Sequence, residues 1–275
     1  MRDEFRAALC QFPVTGDKQE NLARAEEMVA RAAEAGAQLV VLPEMFNCPY
    51  DTRYFPLFAE QCPEGPTSQA LARWARRSGI YLVGGSIPER EGERIYNTSL
   101  IYGPDGELLG KHRKVHLFDV DVAGRIRFCE SEVISCGFCP TVVGTALATL
   151  GVAICYDLRF PELARTMVLR GAEVLVYPAA FSVPTGSAHW HVLLRARAVD
   201  NQVFVLAASP ARPEGDGYVP YGHSLAVGPW GNVLAEAGVG EELVLAELRR
   251  EELERVRREL PVLKQRRPGL YRCCP

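Results

Sequence analysis

Short apolar runs, separated by stretches of helical period, constrain this chain more than any other feature. Gln38–Leu42, Val152–Ile154, Ala172–Tyr177 and Val203–Ala208 are apolar and bounded by turn residues, which predicts buried strands, and none approaches the 18 residues of a membrane span. Phe5–Gln11, Ile80–Ser86 and Glu242–Leu248 read as further strands. Between the first two, Leu22, Ala25, Val29 and Ala32 mark one helical face, opened by Asp17 and Glu20 at capping-box spacing and closed before Gly36. Other helices are predicted at about 67–78, 161–170, 187–200 and 249–260. Ile95–Tyr102 and Glu107–Lys111 form a hairpin about Gly103-Pro104-Asp105-Gly106, and His223–Val227 with Val233–Glu236 a second about Pro229-Trp230-Gly231-Asn232. The order β-α-β-loop-α-β-β implies an α/β fold in mixed layers rather than a pure series of βαβ units. With 275 residues, 48% of them hydrophobic, the chain can build a substantial core, read as one domain with its core over 5–248 and a C-terminal helix and tail over 249–275.

A net charge of −3 gives no global field for nucleic acid or an acidic membrane, so a small molecule is the expected partner. The N-terminal MRDEFRAALCQFP carries Asp3 and Glu4 and lacks the apolar core of a signal peptide, so a soluble cytoplasmic protein is expected. Nine cysteines, an odd number without framework spacing, read as reduced thiols. No glycine-rich phosphate loop follows a strand, and no nucleotide cofactor is expected.

The chemistry centres on Gly151–Glu162, GVAICYDLRFPE. Cys155 falls at a strand-to-helix turn, an elbow that lifts a side chain from the sheet and leaves backbone N–H groups free to face a developing negative charge. A buried core thiol is the commoner fate of a free cysteine, so Cys155 needs partners. Glu44 follows the apolar LVVL run, where ligands collect in open α/β sheets, against the alternative of a solvated loop carboxylate. Lys114 lies in the basic run Lys111–His116 at the end of the first hairpin, which alone would read as a solvated face. Together they make a workable amide-hydrolysing set. The carboxylate is a poor base for a thiol in water, where a mismatch of about 4 pKa units is worth roughly 6 kcal/mol. Burial must raise Glu44, and Lys114 should favour the thiolate and, with the amide N–H after Cys155, hold the oxyanion. No metal is required. The aromatic-rich stretch 45–65 and the long connection 117–140 are both expected to serve the site.

Two other chemistries compete. Cys136-Gly137-Phe138-Cys139 could be a redox pair or half a metal site, but no strand leads into it and no second C-x-x-C or H-x-x-x-H is present. Cys273 and Cys274 read as an incidental tail pair. A Cys–His hydrolase would recruit His112, His116, His189, His191 or His223.

The trio and its surroundings resemble the nitrilase superfamily of carbon–nitrogen hydrolases, whose signature is a Glu-Lys-Cys triad. Matching segments are LPEMFNCPY around Glu44, HRKVHLF around Lys114, FCES around Glu130 and GVAICYDLRFPE around Cys155, followed by AHW, LLRARAVDNQ, YGHS and PWG. The resemblance runs in family order from about residue 5 to 271. It implies a nitrilase-like α-β-β-α sandwich, four-layered when two copies pair as a homodimer, with no cofactor and hydrolysis through a thioester. Residue by residue it implies Glu44 as base, Lys114 as oxyanion stabiliser, Cys155 as nucleophile and Glu130 as a second carboxylate positioning the lysine or substrate. FNCPYDTRYFP, GGSIPER and HLFDVDV look like the ω-amidase branch, which deamidates α-ketoglutaramate and α-ketosuccinamate to 2-oxo acids and ammonia. The implied substrate contacts are Tyr50, Tyr156, Arg159, Phe181 and Thr185, with the Arg159 guanidinium suited to a substrate carboxylate. Deaminated glutathione or an N-carbamoyl amine is the alternative substrate. His191 departs from the usual HWE, Ser135-Cys136-Gly137 from Pro-Gly, and Ala146–Thr149 lacks the expected turn glycine.

Overall fold

The computed structural model describes residues 1–122, 126–213 and 218–271; Cys273 and Cys274 lie outside the described residues. Strands β1 (Glu4–Gln11), β2 (Leu39–Val41) and β3 (Tyr81–Val83) run parallel, because helix α1 (Lys18–Glu34), the short α2 (Phe55–Phe58) and α3 (Pro66–Ser78) lie on the crossovers between them. The sheet continues antiparallel through β4 (Ile87–Glu91), β5 (Arg94–Tyr102) and β6 (Leu108–Arg113). A small hairpin of β7 (Asp119–Val122) and β8 (Ile126–Cys129) leads to the second sheet. That sheet holds β9 (Thr141–Gly144), β10 (Thr149–Val152), β11 (Val174–Pro178), β12 (Phe204–Ala208), β13 (Leu225–Val227) and β14 (Val233–Glu236), with α4 (Pro161–Leu169) and α5 (Val183–Asn201) as its parallel crossovers. Finally β15 (Glu242–Arg249) returns to pair antiparallel with β1 along its whole length, and α6 (Arg250–Glu259) follows.

The alternation of side chains along each strand decides the layering. Ala7, Leu9, Leu39, Val41 and Val83 point from the first sheet onto Leu150, Val152, Val174, Val176 and Leu206 of the second. The opposite face of the first sheet packs on α1 and α3 through Met28, Val29, Leu71 and Trp74. That of the second packs on α4 and α5 through Met167, Trp190, Leu194 and Ala198. One copy is therefore an α-β-β-α sandwich. The predicted start of α1 is present in detail: Asp17 accepts from the N–H groups of Gln19 at 2.8 Å and Glu20 at 3.2 Å, a cap worth about 1 kcal/mol.

Several expectations need correction. The strand read at Val152–Ile154 lies at Thr149–Val152, because Ile154 gives its N–H to Asp157 Oδ2 at 3.0 Å instead of to the ladder. The strand read at Ile80–Ser86 is only Tyr81–Val83, and β4 was not expected at all. Pro88, Glu89 and Arg90 do not look like a strand, yet Glu89 is buried by bonds from Lys111, Arg113 and Thr98 of the neighbouring strands. The 117–140 connection contains β7, β8 and a turn of 3-10 helix over Glu130–Glu132. His191 does lack the usual neighbouring carboxylate, and Glu236 from β14 supplies one, with Oε1 taking His191 Nε2 at 2.8 Å and His223 Nδ1 at 3.0 Å. Among the described residues no helix is long and apolar enough to cross a membrane.

Candidate active site

Glu44, Lys114 and Cys155 stand just past β2, β6 and β10, so both sheets contribute, and all three side chains are buried. Each is aimed by a local backbone device. Met45, directly after Glu44, has φ 49, and its N–H donates to Ser86 Oγ at 3.1 Å. Gly85 (φ +57) fits beneath this turn because a Cβ there would lie 2.2 Å from the Pro43 carbonyl. Lys114 donates its N–H to the Asn97 carbonyl and accepts from the Gly137 N–H, both at 2.8 Å. A Cβ on Gly137 would stand 2.2 Å from the Arg113 carbonyl, so the C-G-F-C segment is a backbone brace for the lysine. Cys136 and Cys139 are free thiols, and among the described residues no group of three His, Cys, Asp or Glu is arranged to hold a metal. Cys155 has φ 45 at the head of the 3-10 turn Cys155–Arg159. A non-glycine residue there stores about 1–3 kcal/mol of strain. The Tyr156 N–H lies in that first turn, where amides have no intrahelical partner.

The three meet in one polar knot inside apolar walls. Lys114 Nζ lies 2.9 Å from Glu44 Oε1, 2.8 Å from Glu130 Oε2 and 3.4 Å from the Tyr50 hydroxyl. Asn97 Nδ2 donates to Glu44 Oε1 at 2.8 Å and to Glu130 Oε1 at 3.2 Å, tying the two carboxylates together. Glu130 Oε2 also accepts the Phe118 N–H at 2.8 Å. Glu44 Oε2 is buried with no hydrogen-bond partner among the described residues, and the Glu44 charge acts on the neighbouring Cys155 thiol. That free oxygen is the one available to take a proton from the thiol.

Burial pushes the Glu44 carboxyl up, and Glu130 adds to this, against the ammonium of Lys114. Burial also disfavours charge on Lys114, but Glu130 and Glu44 outweigh it and hold the amine firmly protonated. The Cys155 thiol rises too, first through burial and then through the Glu44 charge. Lys114 favours the thiolate as expected, but burial and Glu44 outweigh it, so the sulfur keeps its proton until it can be handed to Glu44. Lys114 and the Ala180 N–H, both facing the sulfur, favour that transfer.

The predicted substrate contacts fall into two groups. Tyr156, Arg159, Phe181 and Thr185 line a cavity of about 10 Å³ with Cys155, closed by Phe118 and Tyr218. The Arg159 guanidinium lies 4.8 Å from the Phe181 ring and 5.5 Å from that of Tyr156, donates to His189 Nδ1 at 3.1 Å, and has its buried Nε without a partner. No carboxylate among the described residues pairs with it. Tyr50 is placed apart, against Glu44 and Lys114, and lines a second cavity of about 430 Å³ with Glu44, Met45 and Tyr218. Sequence reasoning missed Asn97, Asp157, Tyr218 and the Ala180 N–H. Asn97 lies in the predicted strand Ile95–Tyr102 and Asp157 two residues after Cys155, where a polar residue is itself a signal; Tyr218, whose hydroxyl donates to the Ala180 carbonyl, carries none. The histidines are all engaged elsewhere: His112 and His116 on Asp157, His189 on Arg159, His191 and His223 on Glu236. A Cys–His pair is thereby removed.

The carbon-nitrogen hydrolase family model matches residues 6–258. The chain is 52% identical over 268 residues to omega-amidase NIT2 of Xenopus tropicalis, covering 98% of this chain and 97% of that protein. It is similar in structure to Saccharomyces cerevisiae Nit3, a member of branch 10 of the nitrilase superfamily, with a TM-score of 0.89, 44% identity and coverage of 96% and 97%. It also matches a mutant of the amidase from Nesterenkonia sp. AN1, solved with the acetamide moiety of fluoroacetamide added covalently at its active-site cysteine, at a TM-score of 0.80, 31% identity and coverage of 99% and 98%. With a buried carboxylate, ammonium and thiol brought together at the ends of two sheets, the chain belongs to the carbon-nitrogen hydrolase family, on the omega-amidase branch of the nitrilase superfamily.

Proposed function

We propose that this chain hydrolyses the terminal amide of short 2-oxo dicarboxylic acid monoamides, α-ketoglutaramate and α-ketosuccinamate, releasing ammonia. One observation carries the reading: Arg159, a half-enclosed cation that pairs with no carboxylate among the described residues, shares a cavity with Cys155. Glu44 takes the thiol proton as Sγ attacks the amide carbon. Lys114 Nζ and the Tyr156 N–H hold the oxyanion, and Glu130 with Asn97 fixes Lys114 and Glu44 in place. The tetrahedral intermediate collapses, its C–N bond breaking as Glu44 returns the proton to the leaving nitrogen, which departs as ammonia and leaves a thioester. Water, deprotonated by Glu44, then attacks the thioester; the 2-oxo acid leaves and the proton returns to sulfur. The amidase of known structure that carries an acetamide moiety added covalently at its active-site cysteine supports a nucleophilic sulfur by similarity.

Arg159→Lys tests the carboxylate assignment, since an ammonium keeps charge but loses the bidentate fork. KM for α-ketoglutaramate should rise about tenfold or more, while propionamide turnover changes little. Equal losses on both substrates would sink the carboxylate role of Arg159. The pH profile provides a second test. Glu44 must be ionised to accept the proton, and burial raises its pKa, so kcat/KM should fall with decreasing pH along a limb above the ordinary glutamate value of about 4.3. Steady-state rates on uncharged propionamide locate that limb free of substrate ionisation.

The same reading makes the chain one catalytic domain that works in the cytoplasm as a homodimer. Val192 and Val199 on α5, with Trp230 and Val233 nearby, leave apolar surface exposed that a second copy would cover, giving the four-layered pair.

A further inference from the structure

We propose that Asp157 is a positioning residue: through His112 and His116 it fixes the sulfur of Cys155 relative to Lys114. The inference rests on the nucleophile assigned above, and not on which amide is the substrate. Asp157 is the third residue of the turn that Cys155 opens, and it is 1% exposed. Its Oδ2 accepts the Ile154 N–H, directly before the nucleophile, and His112 Nε2, each at 3.0 Å. Its Oδ1 accepts the His116 N–H at 2.9 Å and His116 Nδ1 at 2.7 Å. His112 and His116 lie two residues before and two after Lys114. One carboxylate thus spans the elbow of the second sheet and both shoulders of the lysine on the first.

An ionised carboxylate only accepts, so all four contacts require a donor facing it. Burial alone would raise the Asp157 pKa, yet the bonds from His112 and His116 hold it well below the usual carboxylate range, and the anion persists. The outer ends of the clamp are also fixed. His112 Nδ1 meets Thr141 Oγ1 at 3.0 Å, and the His116 ring stacks on Phe160 with centroids 3.6 Å apart. None of the three side chains lines the cavity with Cys155, so their effect on catalysis runs through geometry. In a site this closed, a displacement of about 1 Å between nucleophile and lysine costs about 100-fold in rate.

Asp157→Asn alone is a poor test, because loss of a buried carboxylate with four donors can unfold the chain. The decisive pair is His116→Ala and His116→Asn, at the half-exposed end of the clamp. Asn places its Nδ2 near the lost Nδ1 but does not restore stacking on Phe160, so it isolates the hydrogen bond. Measured are kcat and KM on α-ketoglutaramate, and the rate of Cys155 alkylation by iodoacetamide followed by peptide mass, all below the unfolding transition of each variant. The clamp predicts that His116→Ala lowers kcat and the alkylation rate by about 10-fold to 100-fold with KM within about threefold, and that His116→Asn recovers most of both. Unaltered rates in folded His116→Ala, or an equal fall in His116→Asn, would overturn it. Alkylation needs no substrate, so the proposal is decided even if α-ketoglutaramate is not the amide turned over.

Discussion

Cys155→Ala should abolish turnover, at least about 10⁴-fold below the unaltered protein, while the unfolding midpoint stays within the range of about 1 kcal/mol. The contrast follows from what the side chain does. Its sulfur supplies the bond that splits one hard step into two easier ones, and nothing else in the cavity can take its place. Alanine removes one atom from a buried spot and inherits the same left-handed backbone, φ 45, so the elbow should persist. Cys155→Ser should be nearly as inactive. A hydroxyl is a far weaker acid than a thiol, and Glu44, even raised by burial, is a poor base for it. Amide-release rates and thermal unfolding on the same preparations check both halves. Substantial turnover in Cys155→Ala would remove the nucleophile assignment, and a collapsed fold would leave Cys155 a core residue.

Lys114→Leu should damage both activity and stability. Glu44 and Glu130 would then face each other across Asn97 with no cation between them. Breaking a buried ion pair by removing one partner costs about 3–5 kcal/mol. Losing the oxyanion donor costs about 10²–10³-fold in kcat. The stability loss should depend on pH with a definite sign. Without Lys114 the folded-state pKa of Glu44, already raised by burial, rises further above the unfolded value of about 4.3, so the penalty is absent below that pH and grows as pH increases through the raised value. Adding Glu130→Gln to Lys114→Leu should restore part of the stability at neutral pH but none of the activity. Denaturant melts at several pH values give the first result, and initial rates the second. A flat pH dependence would mean that the two carboxylates do not share the lysine.

Much of this site is legible in the order of residues. Glu44, Lys114 and Cys155 each follow an apolar run, and a side chain just past a strand end is where a sandwich of sheets gathers its polar groups. The α1 cap, the Gly103–Gly106 turn and α5 are equally visible, because their signals lie within a few residues of each other. What escaped is held by distant partners. Strand β4 looks unlike a strand because Glu89 becomes a buried residue only when Lys111 and Arg113 arrive from β6. Asp157 reads as one letter of a motif until the loop about Lys114, some 41–45 positions away, supplies three of its four donors. The resting protonation of Cys155 is likewise set by the whole enclosure. Pairwise charge favours a thiolate beside Lys114, and only the full enclosure shows burial and Glu44 to be the larger effects.

The most direct test is to catch the acyl group on its sulfur. Mixing the protein with α-ketoglutaramate, quenching in acid at successive times and weighing the intact chain should reveal a 2-oxoglutaryl adduct that maps to Cys155, decays as substrate is exhausted and never forms in Cys155→Ala. Steady ammonia release with no adduct at any quench time, or an adduct on another residue, would contradict the account.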